Sequence, residues 1–162
     1  MYQPSESSPT SASVDLTALA QNVALVRRLA PHADVLAVVK ANAYGHGAIE
    51  ITRALQQVAV RRFGVATVDE GVALRQAGIR DDIVVLGATM PAQFADLVAH
   101  RLTPVLYRAD LVQTFASAVE PGAAPYPVHI KVESGMGRLG VLPGELPDVL
   151  SKSELRGSLR LE

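Results

Sequence analysis

Val35-Leu36-Ala37-Val38-Val39-Lys40-Ala41-Asn42-Ala43-Tyr44-Gly45-His46-Gly47 opens on five apolar residues and ends on one lysine and a glycine-flanked turn. An apolar run of that length between polar and turn residues reads as a strand buried on both faces, as in a parallel sheet. Lys40 then stands where the strand surfaces. In α/β folds the C-terminal ends of parallel strands face the ligand, so a lysine there is placed at chemistry and not in the packed interior. Apolar walls strip hydration from an ammonium and favour the neutral amine, which attacks carbonyl carbons. A snorkelling lysine, with its stem buried and its charge in water, has the same local spacing.

Outward from this stretch the chain alternates. Upstream, Leu16, Leu19, Val23 and Val26 recur at helical steps, with Thr17 placed to cap and Pro31 to stop. Downstream, a helix is predicted over Ala48 to Val58, with Ile51, Ala54, Leu55 and Val58 as its inner stripe. Strand Phe63 to Ala66 leads to a helix from Asp69 closed by Gly78, and strand Ile83 to Leu86 to a helix with Pro91 in its first turn. Strand Thr103 to Leu106 precedes a helix over Ala109 to Val119, ended by Pro121-Gly122. Val128 to Val132 is the fifth strand, Glu145 to Leu150 a short helix, and Leu159-Arg160-Leu161 the start of a sixth strand. This is βα alternation, open to two closures: a doubly wound sheet or a (β/α)8 barrel.

The 162 residues suffice for one domain with a real core. Hydrophobic residues make up 49% but aromatics only 4%, with no Trp, so the core rests on Val, Leu, Ile and Ala. Fifteen basic and 16 acidic residues are interspersed, which gives no basic stripe for nucleic acid. The absence of cysteine excludes disulfides and thiolate chemistry and suits a cytoplasmic setting. Residues 1–13 read as a flexible Ser- and Pro-rich leader without a signal-peptide core, and no apolar run approaches the ~20 residues of a membrane span.

A second stretch carries chemistry: His129-Ile130-Lys131-Val132-Glu133-Ser134-Gly135-Met136-Gly137-Arg138-Leu139-Gly140 runs off the fifth strand into a glycine-rich turn. Gly135, Gly137 and Gly140 match the spacing of the dinucleotide fingerprint, but Val141-Leu142-Pro143-Gly144 breaks the chain where the fingerprint needs a helix. Gly45-His46-Gly47 precedes a helix, where free N–H groups favour an anion such as a phosphate near Tyr44. His46 itself reads as a packing or hydrogen-bonding residue. No histidine spacing fits a metal site, so none is expected. Asp69-Glu70 and Asp81-Asp82 read as a helix cap and a solvated turn.

Ala37 to Gly47 resembles the pyridoxal-phosphate attachment motif of the alanine racemase family, and the Arg138 stretch is similar to a second motif of that family. Glu133-Ser134 stands where most members carry Asp-Thr. The resemblance implies a (β/α)8, TIM-barrel-type fold over residues 14–162, incomplete here, with about five βα units and the start of a sixth strand. It implies pyridoxal 5′-phosphate as cofactor, held by Lys40, Tyr44 and Arg138. Lys40 would carry the cofactor and act as a base at Cα, Tyr44 would reach its phosphate, and Arg138 would contact its phenolic oxygen and the substrate carboxylate. Lys131 matches a position that is carbamylated in some racemases, a modification that would turn a cation beside Arg138 into an anion.

The expected reaction is interconversion of L- and D-alanine, which supplies D-alanine for peptidoglycan. The family's second base is a tyrosine from the C-terminal domain of a partner subunit, so a homodimer is expected and this polypeptide alone is expected to be a poor racemase. From another class, a non-catalytic pyridoxal-phosphate-binding barrel would share the lysine, but its motif lacks the Ala41 to Gly47 continuation. A cofactor-free Schiff-base aldolase would need an acid/base partner that the sequence does not supply.

Overall fold

The computed structural model describes residues 12–120, 122, 124–152 and 157–162. The leader over 1–13, save residues 12 and 13, and Pro121 of the helix stop lie outside the described residues. Helix α1 (Leu16–Leu29) precedes β1 (Leu36–Val38), the one-turn α2 (Lys40–Tyr44) and α3 (Ala48–Gln57). Each later strand but the last feeds a helix: β2 (Arg62–Val65) into α4 (Val68–Gln76), and β3 (Asp82–Val85), through a 3-10 turn at Pro91–Gln93, into α5 (Phe94–Ala99). Then β4 (Thr103–Leu106) leads to α6 (Ala109–Ala116), β5 (Tyr126–Ile130) to α7 (Leu146–Leu150), and β6 (Leu159–Leu161) closes the series.

The six strands pair in parallel in the order β1-β2-β3-β4-β5-β6. A doubly wound sheet reverses its strand order at a switch point, whereas a barrel adds strands in one direction. The unbroken order therefore decides between the two closures left open by the sequence: this is an incomplete (β/α) barrel. All C-terminal strand ends share one rim.

The elements follow their local chemistry, with four adjustments. Asp15, not Thr17, caps α1: its Oδ1 accepts from the N–H groups of Thr17 at 2.8 Å and Ala18 at 3.0 Å. A side-chain acceptor reaches the second and third helical amides only from the residue before the helix, and that residue is Asp15. β5 runs from Tyr126 to Ile130, starting and ending two residues before the expected bounds: Pro127 blocks a strand assignment by pattern while the strand tolerates it, and Val132 makes only an isolated bridge with Val141. α6 ends at Ala116, short of Val119. Val38 is 36% exposed, so the first strand is not buried on both faces; among the described residues β1 pairs only with β2 and its outer side is open.

Between sheet and helices lies an aliphatic core seeded by the three phenylalanines, all buried. Phe115 meets Phe94 edge-on at 5.0 Å and Tyr126 at 5.4 Å, joining α5, α6 and β5. On the other sheet face, Gly64 leaves room for Leu86 and Leu36: a Cβ there would come within 2.8 Å and 2.9 Å of their side chains.

The rim opposite the strand C-termini is laced by donors on backbone carbonyls. Arg75 donates to the carbonyls of His100, Ile79, Asp81 and Arg101, binding the loops before β3 and β4. Arg27 of α1 donates to Val58 and Ala59 at the end of α3, which fastens α1 to α3. Val58 and His100 are the C-caps of α3 and α5, whose carbonyls the helices leave unpaired, and the other acceptors lie in the loops beyond. The Tyr126 hydroxyl shares its proton between the carbonyls of Leu97 at 2.8 Å and Leu102 at 3.1 Å. Burial pushes its phenol up to about 12.

Removing that hydroxyl in Tyr126→Phe leaves two carbonyls short of a donor, so unfolding free energy should fall by about 1–2 kcal/mol in urea titration. His129 on β5 gives a pH signature. Burial holds its pKa below the usual histidine value, Glu162 opposes that shift and Arg62 adds to it. The folded state thus resists a proton that the unfolded state takes up, and stability should decline as pH falls through about 6.5. His129→Gln should flatten the urea midpoint between about pH 7 and pH 5.

Candidate active site

The ladder between β1 and β2 ends at Val39, whose N–H donates to Gly64 at 2.8 Å. Directly after Lys40 the backbone turns left-handed: Ala41, Asn42, Ala43 and Tyr44 have φ of 50°, 55°, 52° and 55°. L-residues pay about 1–2 kcal/mol each for this region and seldom occupy it in series. Internal bonds hold the turn, with Gly45 N–H donating to Ala41 at 3.0 Å, His46 to Ala43 at 3.1 Å and Gly47 to Asn42 at 2.9 Å. The Asn42 side chain accepts from Ala48 N–H at 2.8 Å and so caps α3 from within the turn. Lys40 is half-buried, its Nζ lying 5.9 Å from the centre of the Tyr44 ring, which is itself 61% exposed.

The sequence suggested free amides at Gly45-His46-Gly47 for an anion. The N–H groups of Gly45, His46, Gly47 and Ala48 are all spent inside the turn, so an anion near Tyr44 would meet the amides beyond Ala48 in the first turn of α3. His46 is a hydrogen-bonding residue, as read: its Nδ1 lies 2.8 Å from the Ala43 carbonyl.

On the same rim, Lys131 directly follows β5, half-buried, its N–H donating to Leu106 at 2.9 Å and its carbonyl accepting from Val141 at 2.8 Å. No salt bridge among the described residues reaches it. Arg138 is exposed in the loop that follows. Glu133 organises this loop: its carboxylate accepts from Gly135 N–H at 2.6 Å and Arg138 N–H at 3.1 Å. The loop amides, Gly137 and Gly135 foremost with Arg138 and Met136, hold the Glu133 carboxyl below the ordinary glutamate range. Gly140, at φ 144°, passes so close that a Cβ would lie 2.4 Å from Glu133 N. No helix opens within residues 135–140, and the amides that would cradle a phosphate already face Glu133. The dinucleotide spacing is therefore coincidental.

Lys40 with Tyr44 and Arg138 with Lys131 share the rim but sit at different strands. Four strand spacings separate β1 from β5, about 19 Å along the sheet. In an eight-stranded barrel, first and fifth strands face each other across the mouth. A cleft of about 420 Å³ flanks β1, walled by Asp15, Leu19, Val38, Ala43, Tyr44 and His46. A larger cavity, about 890 Å³, lies on the opposite rim around Arg75, Arg101 and Tyr126. It is remote from Lys40, and its Arg75 is committed to carbonyls.

Sequence reasoning missed two residues. Asn42 was quoted within its motif without a role. Glu70 was read only as a helix cap. It does complete a capping box with Thr67, a pairing legible in Thr67-Val68-Asp69-Glu70, but its Oε1 also accepts from Ala41 N–H at 2.7 Å. No local signal marks that second bond, made 29 residues away.

Comparison with known proteins agrees with this geometry. The family model described as "Alanine racemase, N-terminal domain" matches residues 14–162. Alanine racemase of Geobacillus stearothermophilus is 44% identical over 133 residues, covering 82% of this chain and 34% of the relative. That of Carboxydothermus hydrogenoformans is 39% identical over 141 residues, covering 87% and 38%. The crystal structure of alanine racemase from Bacillus anthracis with bound L-Ala-P superposes with a TM-score of 0.80 at 31% identity, covering 92% of this chain and 39% of that one. The chain thus spans little more than a third of the length of these relatives. That match spans the barrel strands, the lysine turn and the arginine loop, and the chain belongs to the alanine racemase N-terminal domain family.

Proposed function

We propose that this chain supplies the cofactor-bearing part of an alanine racemase active site, with pyridoxal phosphate as cofactor and Lys40 as its attachment point. The observation that carries the reading is Lys40 itself, held at the end of β1 by a strained turn that also sets Tyr44 beside its amine. Strain of this kind persists where the surroundings over-determine it, and it gathers at functional sites.

The donor set suits the cofactor. A primary amine, a phenol and a guanidinium on one rim match an aldehyde, a phosphate and a phenolic oxygen or substrate carboxylate. When bound, pyridoxal phosphate supplies an electron sink for negative charge developing at the amino acid's Cα. Lys40 would hold the cofactor's aldehyde through its amine, and once freed that amine would take a proton from the substrate's Cα or return one. Tyr44 would orient the phosphate, and Arg138 would hold carboxylate or phenolic oxygen with its planar fork. Inversion needs a second acid/base group on the opposite face of Cα. By family resemblance this comes from a partner subunit, so a cytoplasmic homodimer feeding D-alanine to the cell wall is part of the proposal. Carbamylation of Lys131 is a further part of it, since it would replace a cation near Arg138 with an anion.

Absorbance of the chain mixed with pyridoxal phosphate tests the assignment. A visible band should form, vanish in Lys40→Ala, and after borohydride reduction leave the cofactor's mass on the peptide containing Lys40. A band that survives Lys40→Ala would refute it. Turnover of alanine by the assembled protein separates a racemase from a non-catalytic carrier.

The Arg138 loop should respond to acid. Its Glu133 carboxylate has a lowered pKa, so the order it imposes is present above the unfolded glutamate value of about 4.3 and is lost as pH falls through the folded one. Amide exchange at Gly135 and Arg138, corrected for intrinsic rate, should accelerate over that window and already be fast in Glu133→Gln at neutral pH.

A further inference from the structure

We propose that Glu70 is a positioning residue for Lys40, acting through the backbone of the turn that the lysine opens. This rests on the reading of Lys40 as the cofactor lysine. Where the β1 ladder stops, the next donors at the two strand ends are the amides of Ala41 and Ala66. Glu70 takes both: Oε1 accepts from Ala41 at 2.7 Å and Oε2 from Ala66 at 2.7 Å. One carboxylate thus extends the β1–β2 ladder by side chain at the point where the left-handed turn takes β1 out of register.

The consequence falls on Lys40. Its preceding residue is fixed by the Val39–Gly64 bond and its following residue by Glu70, so both peptide neighbours of the lysine are tied to β2 or its loop. The direction of the Lys40 side chain is set by the backbone between those two ties. Both oxygens must accept at once, a demand that carboxylate meets and carboxamide does not, since a carboxamide nitrogen would face an N–H with its own donors. Glu70 itself is anchored by α4, its N–H donating to Thr67 Oγ1 at 3.3 Å. Thr67 therefore separates the two roles, for its loss weakens the helix cap and leaves the bridge to Ala41 in place.

The test compares the 162-residue chain with Glu70→Gln and Thr67→Ala in two readouts. Amide exchange should speed up by about tenfold at Ala41 or Ala66 in Glu70→Gln and stay near wild type at both in Thr67→Ala. Capture by Lys40 is read as mass added to its peptide after borohydride, with pyridoxal phosphate and separately with formaldehyde. It should slow by on the order of tenfold or more in Glu70→Gln and remain unchanged in Thr67→Ala. Equal slowing in both variants would reduce Glu70 to a helix cap, and unchanged capture in Glu70→Gln would overturn the proposal outright. If wild type captures formaldehyde at Lys40 but not pyridoxal phosphate, the cofactor reading fails while the Glu70 comparison still decides the positioning role.

Discussion

Everything on the functional rim depends on how β1 ends. Val39 makes the last backbone rung to β2, and the chain then reverses hand for four residues before Gly45, at φ 88°, completes the turn. The steric cost, about 1–2 kcal/mol per residue, matches in size the roughly 1 kcal/mol returned by each hydrogen bond within the turn. Balance of that kind requires the full set of bonds. It also explains why asparagine occupies the middle of the turn: Asn42 tolerates the left-handed region and caps α3 with the same side chain. The lysine is thereby placed by a closed system of strand, turn and helix start.

The two functional loops share one device. Glu133 collects amides of the Arg138 loop, and Glu70 collects amides at the ends of β1 and β2. In each, an acidic side chain of this chain fills a place that a bound anion would otherwise take. Backbone polarity is spent on organisation. The side chains of Tyr44 and Arg138, by contrast, stay exposed on the rim.

Opposite rims divide the work. Arginines 27 and 75 and Tyr126 tie helix ends to loops through carbonyls, in the manner of a stability face, while the lysine turn and the arginine loop occupy the strand C-termini. The larger cavity belongs to the first of these faces, which shows that cavity size alone is a poor guide to the chemistry here.

Much of this was legible in the chain. Strand and helix order, the lysine stretch and the arginine loop were readable because each rests on local apolar period, breakers and contiguous motif residues. The adjustments were geometric. Asp15 replaced Thr17 as cap because the cap precedes the helix, and Pro127 concealed the start of β5. Carboxylates at Asp69-Glu70 looked like solvated caps, since a sequence shows the partner three residues away and hides the one 29 residues away. The left-handed hand of Ala41 to Tyr44 was invisible too, because alanine by itself prefers the opposite hand. The sequence by itself determined which elements form and in what order, through propensities acting over a few residues. The tertiary structure alone decided that β1 to β6 wind in one direction, that the turn after Lys40 is left-handed and that Glu70 secures it, because those outcomes depend on hydrogen bonds between segments that are distant along the chain.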